Sequence, residues 1–217
     1  MLLVMNMDLK GKVINFLGDS ITEGMKTSCE QARFSNLIAE KTGAVCNNYG
    51  ISGTKIALKE GDTPETERMH RSFIIRYEEM EKDADIIIVM GGTNDSGAKI
   101  PFGDFDSRDN FTFYGALHNL YEGLINMYPD SLILVMTPPH YLEEGHPREE
   151  NCLRAYVDII KEVAQFYSLP VLDLYSVSGL QPKVEILKQK YMPDGCHPND
   201  EGHKVLAQKI LAFLNNM

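Results

Sequence analysis

The segment Asp85–Met90 restricts the possible folds of this chain more than any other part of the sequence. Its last five residues, Ile-Ile-Ile-Val-Met, are all apolar, so a strand formed here would be buried on both of its faces. Strands of this kind occur in parallel sheets that are covered by helices on both sides. Four further short runs, rich in Val, Ile and Leu, lie at Val13–Leu17, Ala44–Tyr49, Leu132–Met136 and Leu169–Leu174. The sequence therefore predicts five strands in one sheet.

Longer stretches between these runs have the apolar spacing of amphipathic helices. A helix is expected around Ala32–Lys41, and four apolar stripes predict further helices. The stripes are Met69, Phe73, Tyr77 and Met80; Phe113, Leu117, Leu120, Leu124 and Tyr128; Leu153, Tyr156, Ile160 and Val163; and Val205, Leu206, Ile210 and Phe213. Because strands and helices alternate throughout, we predict an α/β fold with helices on both faces of the sheet. The 217 residues contain no repeat or linker and fit one domain, 1–217.

The connections that leave the strands are much longer than those that enter them. Helix-to-strand connections are as short as Thr42-Gly43 or Ser168. The strand-to-helix connections are Gly18–Glu30, Gly50–Glu65, Gly91–Asn110, Thr137–Glu150 and Tyr175–Pro198. In a parallel sheet these long connections all lie at the carboxyl edge, which is where open α/β sheets bind their ligands.

Charge and cysteine content exclude several classes of protein. Lys and Arg number 21 against 31 Asp and Glu, a net charge of −10 that argues against nucleic-acid or membrane partners. The four cysteines (Cys29, Cys46, Cys152 and Cys196) form no CxxC pair, and adjacent Cys196 and His197 chelate poorly, so no metal or cofactor is expected. The first ten residues have neither a basic region nor a long apolar run, so we expect a cytoplasmic protein.

Ser20 is a candidate nucleophile. It ends the sequence Gly18-Asp19-Ser20 directly after the first predicted strand, where a serine can be exposed on a tight turn. The segment lacks the G-x-S-x-G pattern of the α/β-hydrolase elbow. An ordinary turn followed by a helix cap is the alternative interpretation.

Candidate oxyanion donors follow the second and third strands. The backbone N–H groups of Gly50 and Gly53, and the neutral side-chain amide of Asn94, are suited to holding a developing negative charge. Strand-ending turns are the alternative, with Asn94 forming an Asx turn. Asp95 is interpreted as part of that turn rather than as a catalytic residue.

His197 is a candidate general base, with Asp194 as its partner. At this spacing in a loop, the carboxylate can hold the ring Nδ1–H and leave Nε2 to accept a serine proton. Asn199 is predicted as the N-cap of the last helix, followed by acidic residues in its first turn.

Taken together, these motifs resemble the four blocks of the SGNH, or GDSL, hydrolase family in order and separation, over nearly the whole chain. The resemblance implies a single catalytic domain with a three-layer α/β/α flavodoxin-like sandwich and a five-stranded parallel sheet in the order 2-1-3-4-5. It implies that Ser20 is the nucleophile, His197 the base and Asp194 its partner. The implied oxyanion donors are the Ser20 N–H, the Gly53 N–H and the Asn94 side chain, and the pattern Asn48-x-x-Ile51-Ser52-Gly53 favours Gly53 over Gly50.

Aromatic residues beside acidic and amide groups mark the loops around these motifs. Phe102, Tyr141 and Tyr191 are candidate substrate contacts that can stack on a sugar ring. The alternative is that the aromatics pack beneath loops whose acidic rim is solvated. An acidic rim disfavours anionic substrates. The sequence shows no long amphipathic segment that could form a lid, so we do not expect a lipase that acts on bilayers.

The sequence thus predicts an esterase whose small-molecule substrate carries a small acyl group, such as acetyl, on a neutral alcohol or carbohydrate. A thioesterase or lysophospholipase using the same site is one alternative. A non-catalytic sugar- or nucleotide-binding module is the other, because glycines at strand ends also hold phosphates.

Overall fold

The computed structural model of the chain describes residues 7–61 and 71–217. Its central feature is a five-stranded parallel sheet in the order β2-β1-β3-β4-β5. The strands are β1 (Val13–Gly18), β2 (Val45–Gly50), β3 (Ile86–Met90), β4 (Leu132–Met136) and β5 (Val171–Leu172). This confirms the predicted fold class and strand order.

The last strand is shorter than the predicted Leu169–Leu174. Only Val171 and Leu172 pair with β4. The chain then leaves the sheet because Asp173 caps the following helix, its carboxylate accepting from the Ser176 N–H.

Helices cover both faces of the sheet in the part of the chain that the structure describes. They are α1 (Ser20–Glu23), α2 (Phe34–Thr42), α3 (Phe73–Arg76), α4 (Thr93–Ala98), α5 (Phe113–Met127), α6 (Leu153–Phe166), α7 (Leu174–Val177), α8 (Glu185–Tyr191) and α9 (Asp200–Leu214). The predicted helices correspond to α2, α5, α6 and α9. Four short helices, α1, α4, α7 and α8, lie in connections that were predicted only as loops.

The helix predicted from the stripe Met69, Phe73, Tyr77 and Met80 is shorter than expected. Met69 lies outside the described residues, α3 ends at Arg76, and Tyr77–Glu79 forms a 3₁₀ turn. Extended backbone at Met80 ends this turn. Phe73 and Met80 are nevertheless buried, so the stripe correctly identified core residues.

Two apolar cores lie on opposite faces of the sheet. Ile87 and Val89 of β3 pack into the core beneath α5 and α6, whereas Ile86, Ile88 and Met90 pack into the core beneath α2 and α9. Alternate side chains of a strand point to opposite faces, so this burial explains why β3 is apolar at every position. Across residues 7–61 and 71–217, no helix has the length and apolar character needed to span a membrane.

Strand register brings the long connections together at the carboxyl edge. Gly18 at the end of β1 lies opposite Gly50 of β2 on one side and Met90 of β3 on the other. The segments that follow these three strands therefore start side by side.

Candidate active site

Ser20, His197 and Asp194 form a hydrogen-bonded chain at this edge. His197 Nε2 lies 3.0 Å from Ser20 Oγ, and His197 Nδ1 lies 2.8 Å from Asp194 Oδ2. Nε2 is thus within reach of the serine proton, while the carboxylate holds the opposite ring nitrogen. The structure brings together the three residues that the sequence predicted as nucleophile, base and partner.

The turn that presents Ser20 is fixed by its neighbours. Asp19 is the N-cap of α1, and its carboxylate accepts from the Ile21 N–H at 3.0 Å. A side chain at Gly18 would overlap Thr22, and Gly24 ends the helix with a φ of 86°. This one-turn helix therefore needs both glycines to hold Ser20 directly after the strand.

The Asp19 carboxyl is a buried acid next to the candidate nucleophile. Burial raises its pKa from 3.8 to about 6, against the opposing effects of the Ile21 N–H, the His197 ring and the Arg76 guanidinium. Desolvation disfavours the charged form, and the Ile21 N–H and the Arg76 charge oppose this effect.

Asp194 is held as a carboxylate by the loop that carries His197. It accepts from the backbone N–H groups of Cys196 at 2.9 Å and His197 at 2.8 Å. Partial burial acts to raise the pKa of Asp194, but these N–H groups and the imidazole lower it below its ordinary value. Asn199 caps α9 by accepting from the Gly202 N–H, as predicted.

The structure distinguishes between the two candidate glycine donors. The Gly50 N–H donates to Asn48 Oδ1 at 2.9 Å, so it is already engaged. Gly53 has a φ of 75°, and its N–H has no hydrogen-bond partner among residues 7–61 and 71–217. This geometry favours Gly53, as the sequence pattern did.

Asn94 lies near the start of α4, where its amide is oriented by a neighbouring loop. Its Nδ2 donates to the Thr54 carbonyl at 3.0 Å. An amide nitrogen carries two hydrogens, so this bond fixes the group and leaves a second N–H for an oxyanion. The Ser96 N–H, which an Asx turn at Asn94 would engage, donates instead to the Gly92 carbonyl at 3.0 Å, so the structure does not show the alternative Asx turn.

Asp95 does not serve a local turn, which corrects the sequence interpretation. Its buried carboxylate accepts from the N–H groups of Ile56 and Ala57, each at 3.0 Å. Burial raises the pKa of Asp95 to about 6, opposed mainly by these two hydrogen bonds. Asp95 therefore ties α4 to the loop that carries Gly53.

Arg76 is a second charged residue that sequence reasoning missed. It is only 3% exposed and donates to the carbonyl groups of Gly18 and Tyr49. A single arginine in an apolar stripe gives no local signal that its partners are the ends of two strands.

The three predicted substrate contacts differ in their surroundings. Tyr141 is half-buried, and burial raises the pKa of its hydroxyl. The next residue, Leu142, donates its N–H to the Gly195 carbonyl at 2.7 Å. This backbone bond ties the segment that carries Tyr141 to the loop that carries His197.

Phe102 and Tyr191 make their described contacts with the body of the protein. The Phe102 ring packs edge-on against Tyr156, with ring centroids 4.9 Å apart. The Tyr191 ring packs against the core under α9 and is covered by the Lys190 ammonium at 4.9 Å. These contacts favour the alternative interpretation, in which aromatics pack beneath the loops.

One acidic residue of the predicted rim is an internal ion-pair partner instead. Glu144 is 3% exposed and lies 2.9 Å from His140 Nδ1 and 2.7 Å from Lys183 Nζ. Glu143, by contrast, is exposed. The acidic character of this loop thus comes from fewer residues than the sequence suggested.

Comparison with known proteins adds a family match to this geometry. The model of the GDSL-like lipase/acylhydrolase family matches residues 16–205, a span that includes Ser20, Asp194 and His197. An acetylxylan esterase from Xylanibacter ruminicola is 22% identical over 91% of this chain. The chain spans only 42% of the length of that relative.

Solved structures share the fold over almost the full chain. A crystal structure of a protein from Lactobacillus plantarum has a TM-score of 0.82 at 28% identity, covering 95% of this chain and 97% of that one. A two-domain esterase active on acetylated mannans, co-crystallised with mannopentaose, has a TM-score of 0.65 at 20% identity. That match covers 95% of this chain and 50% of the other.

Proposed function

The chain belongs to the GDSL-like lipase/acylhydrolase family, and on that premise we propose that it is a carboxylic ester hydrolase with Ser20 as its nucleophile. The observation that carries the proposal is the chain of hydrogen bonds from Ser20 Oγ through His197 to Asp194, with distances of 3.0 and 2.8 Å. A serine hydroxyl becomes a useful nucleophile when a positioned base can remove its proton.

In the first half of the proposed reaction, Ser20 Oγ attacks the ester carbonyl as His197 Nε2 takes its proton. Asp194 stabilises the resulting imidazolium without itself becoming protonated. The Ser20 N–H, the Gly53 N–H and Asn94 Nδ2 hold the oxyanion, and each such donor is typically worth about 2.7–4 kcal/mol of barrier. Collapse of the tetrahedral intermediate breaks the bond to the alcohol, which leaves with the proton from His197.

In the second half, a water molecule replaces the alcohol. His197 removes a proton from the water as it attacks the acyl-Ser20 ester, and the same three donors hold the second oxyanion. Breaking the bond to Ser20 Oγ releases the carboxylic acid and returns the proton to the serine. The free enzyme is restored with no cofactor consumed.

We propose that the substrate is an acetyl ester of a carbohydrate or another neutral alcohol. Two similar proteins support this choice, the acetylxylan esterase and the esterase active on acetylated mannans, although the chain spans about half or less of each. Exposed acidic residues such as Glu143 favour neutral substrates over anions. Tyr141, in the segment tied to the His197 loop, is the proposed aromatic contact for a sugar ring.

The decisive variant is Ser20→Ala, compared with Ser131→Ala as a matched control. Ser131 donates to the Ala84 carbonyl at the amino edge of the sheet, away from the site. Ser20→Ala should reduce hydrolysis of p-nitrophenyl acetate by several orders of magnitude at unchanged thermal stability, while Ser131→Ala should retain the wild-type rate. Undiminished turnover in Ser20→Ala would exclude the serine mechanism.

A panel of esters tests the substrate. We expect faster turnover of p-nitrophenyl acetate than of longer p-nitrophenyl esters, together with release of acetate from acetylated xylan and mannan oligosaccharides. A preference for long acyl chains would indicate a lysophospholipase or thioesterase instead. Binding of sugars or nucleotides without ester turnover would indicate a binding module.

A further inference from the structure

The guanidinium of Arg76 joins backbone segments that are far apart in the sequence. Nη1 donates to the Tyr49 carbonyl at 2.6 Å, and Nη2 donates to the Gly18 carbonyl at 2.7 Å and to Thr54 Oγ1 at 2.9 Å. Arg76 is 3% exposed, so these are hydrogen bonds of a buried cation. Such charge-assisted bonds are short and are strongly directional for the planar guanidinium.

The acceptors belong to the segments that carry the proposed oxyanion donors. Gly18 lies two residues before Ser20, and Thr54 directly follows Gly53. The Thr54 carbonyl in turn accepts from Asn94 Nδ2 at 3.0 Å. Arg76 is therefore connected to the Ser20 turn and the Gly53 loop directly, and to Asn94 through Thr54.

Further bonds make this connection a closed network. The Gly18 carbonyl also accepts from the Ile51 N–H at 3.1 Å, and the Thr54 hydroxyl donates to the Ile51 carbonyl at 2.7 Å. A shift of Arg76 would thus move both the end of β1 and the loop after β2. The positive charge is offset nearby by the buried Asp19 carboxylate, whose pKa it helps to lower.

We propose that Arg76 is a positioning residue that sets the relative positions of the three oxyanion donors. The inference rests on the proposed function, because an oxyanion exists only if Ser20 attacks an ester. The described hydrogen bonds of Arg76 go neither to Ser20 Oγ nor to the proposed donors. Its effect is exerted through the carbonyl groups of Gly18 and Tyr49 and the Thr54 side chain.

This role predicts a specific kinetic signature. Donors that are misplaced by a fraction of an ångström weaken the hold on the oxyanion, which forms only in the transition state, so kcat falls while KM changes little. Arg76→Met should lower kcat by about 10²-fold, the loss typical of a misplaced or missing donor. Arg76→Lys keeps the charge, but its single nitrogen cannot donate to three separated acceptors. It should therefore recover only part of the kcat that is lost in Arg76→Met.

The control must separate positioning from general loss of stability. Tyr128→Phe removes a partly buried hydrogen bond, from the Tyr128 hydroxyl to the Glu81 carbonyl at 3.0 Å, at the opposite edge of the sheet. We expect it to lower the thermal midpoint and leave kcat unchanged.

A second readout is the rate at which a p-nitrophenyl phosphonate inactivates the enzyme, because the phosphoryl oxygen occupies the oxyanion position. In Arg76→Met this rate should fall by the same factor as kcat/KM.

Thr54→Val provides a test should Arg76→Met fail to fold. It removes the hydroxyl that links Arg76 to the loop but keeps the carbonyl that holds Asn94. We therefore expect kcat to fall and KM to keep its wild-type value. Thr54→Ser, which keeps the hydroxyl, should retain the rate.

The outcomes separate this inference from the proposed function. Both proposals are supported if the wild-type protein hydrolyses the ester, Ser20→Ala loses this activity, and Arg76→Met lowers kcat without changing KM. A wild-type kcat in folded Arg76→Met, or in Thr54→Val when Arg76→Met does not fold, overturns the positioning role and leaves the esterase proposal intact. Absence of ester turnover by the wild-type protein overturns both.

Discussion

His203 shows how burial sets the chemistry of a single residue. Its ring is inaccessible to solvent, its Nδ1 accepts from the Phe34 N–H at 3.1 Å, and it stacks on the Phe34 ring at 5.6 Å. Burial lowers the pKa of His203 from 6.5 to about 4, with the Arg33 charge adding to this effect and Asp200 opposing it. The folded protein therefore holds this imidazole neutral at pH values where an exposed histidine is protonated.

The free energy of unfolding should consequently depend on pH through the protonation of His203. The unfolded chain binds the proton near pH 6.5 and the folded protein only near pH 4, so protonation favours unfolding as the pH falls through this window. At about 1.4 kcal/mol per pKa unit, the loss amounts to about 3 kcal/mol. Urea unfolding at pH 7 and at pH 4.5 should show a smaller difference for His203→Gln than for the wild type.

The exposed His146 supplies the control for this measurement. His146→Gln makes the same substitution at an exposed position, outside the core that contains Phe34. Comparing each variant with the wild type removes the opposite contributions of Asp19 and Asp95, whose raised pKa values favour folding as the pH falls. An unchanged slope in His203→Gln would contradict the assignment.

Residues whose candidate role is suggested by a short motif could be predicted from the sequence, whereas residues that hold distant backbone groups could not. Ser20, Asp194 and His197 each belong to a short motif with a local chemical reason. Asp95 and Arg76 act on backbone groups tens of residues away. No spacing rule connects them to these partners, because the fold alone brings them together.

At the scale of elements, length decided which helices could be predicted. Helices α5, α6 and α9 have 14 or 15 residues, long enough for several repeats of the apolar stripe. Helices α1 and α7 have only four residues each and are defined by their caps, Asp19 and Asp173. A single capped turn carries too few residues to show a helical period.

Helix α4 offers an element-scale prediction, because Asp95 fastens it to the loop after β2. Asp95→Ala would leave the buried N–H groups of Ile56 and Ala57 without their acceptor, at a cost of about 1–3 kcal/mol for each. We expect a lower free energy of unfolding and faster amide hydrogen exchange at these two residues. Asp95→Asn, which keeps one acceptor oxygen, should lose less, and Asp104→Ala at an exposed position should match the wild type.

At the scale of the whole molecule, the alternation of apolar runs and stripes sufficed to predict a parallel sheet with its long connections on one edge. The strand order came from the family resemblance, since periodicity does not say which strands are neighbours. The order β2-β1-β3-β4-β5 places β1 between β2 and β3. The residues of three consecutive motifs thereby meet, even though the sequence separates them by dozens of positions.

The net charge of −10 is a property of the whole chain with a consequence at the proposed site. Exposed acidic residues in the loops after β3 and β4, among them Asp104, Asp106 and Glu143, should repel anions approaching Ser20. An acetyl ester carrying a distal carboxylate should therefore have a lower kcat/KM than a neutral ester of the same size. Added salt should narrow the gap, because the screening length shrinks from about 30 Å at 0.01 M to about 8 Å at 0.15 M.

A pair of matched variants locates the origin of this discrimination. Glu143→Gln removes one charge beside Tyr141 and should raise kcat/KM for the anionic ester at low salt while leaving the neutral ester unaffected. Glu40→Gln removes the same charge from the exposed face of α2 and should change neither. Equal effects of the two variants would assign the repulsion to the net charge of the chain. Repulsion between solvated charges must weaken as ions screen it. If the ratio of the kcat/KM values of the two esters did not change with salt, an electrostatic cause would therefore be excluded.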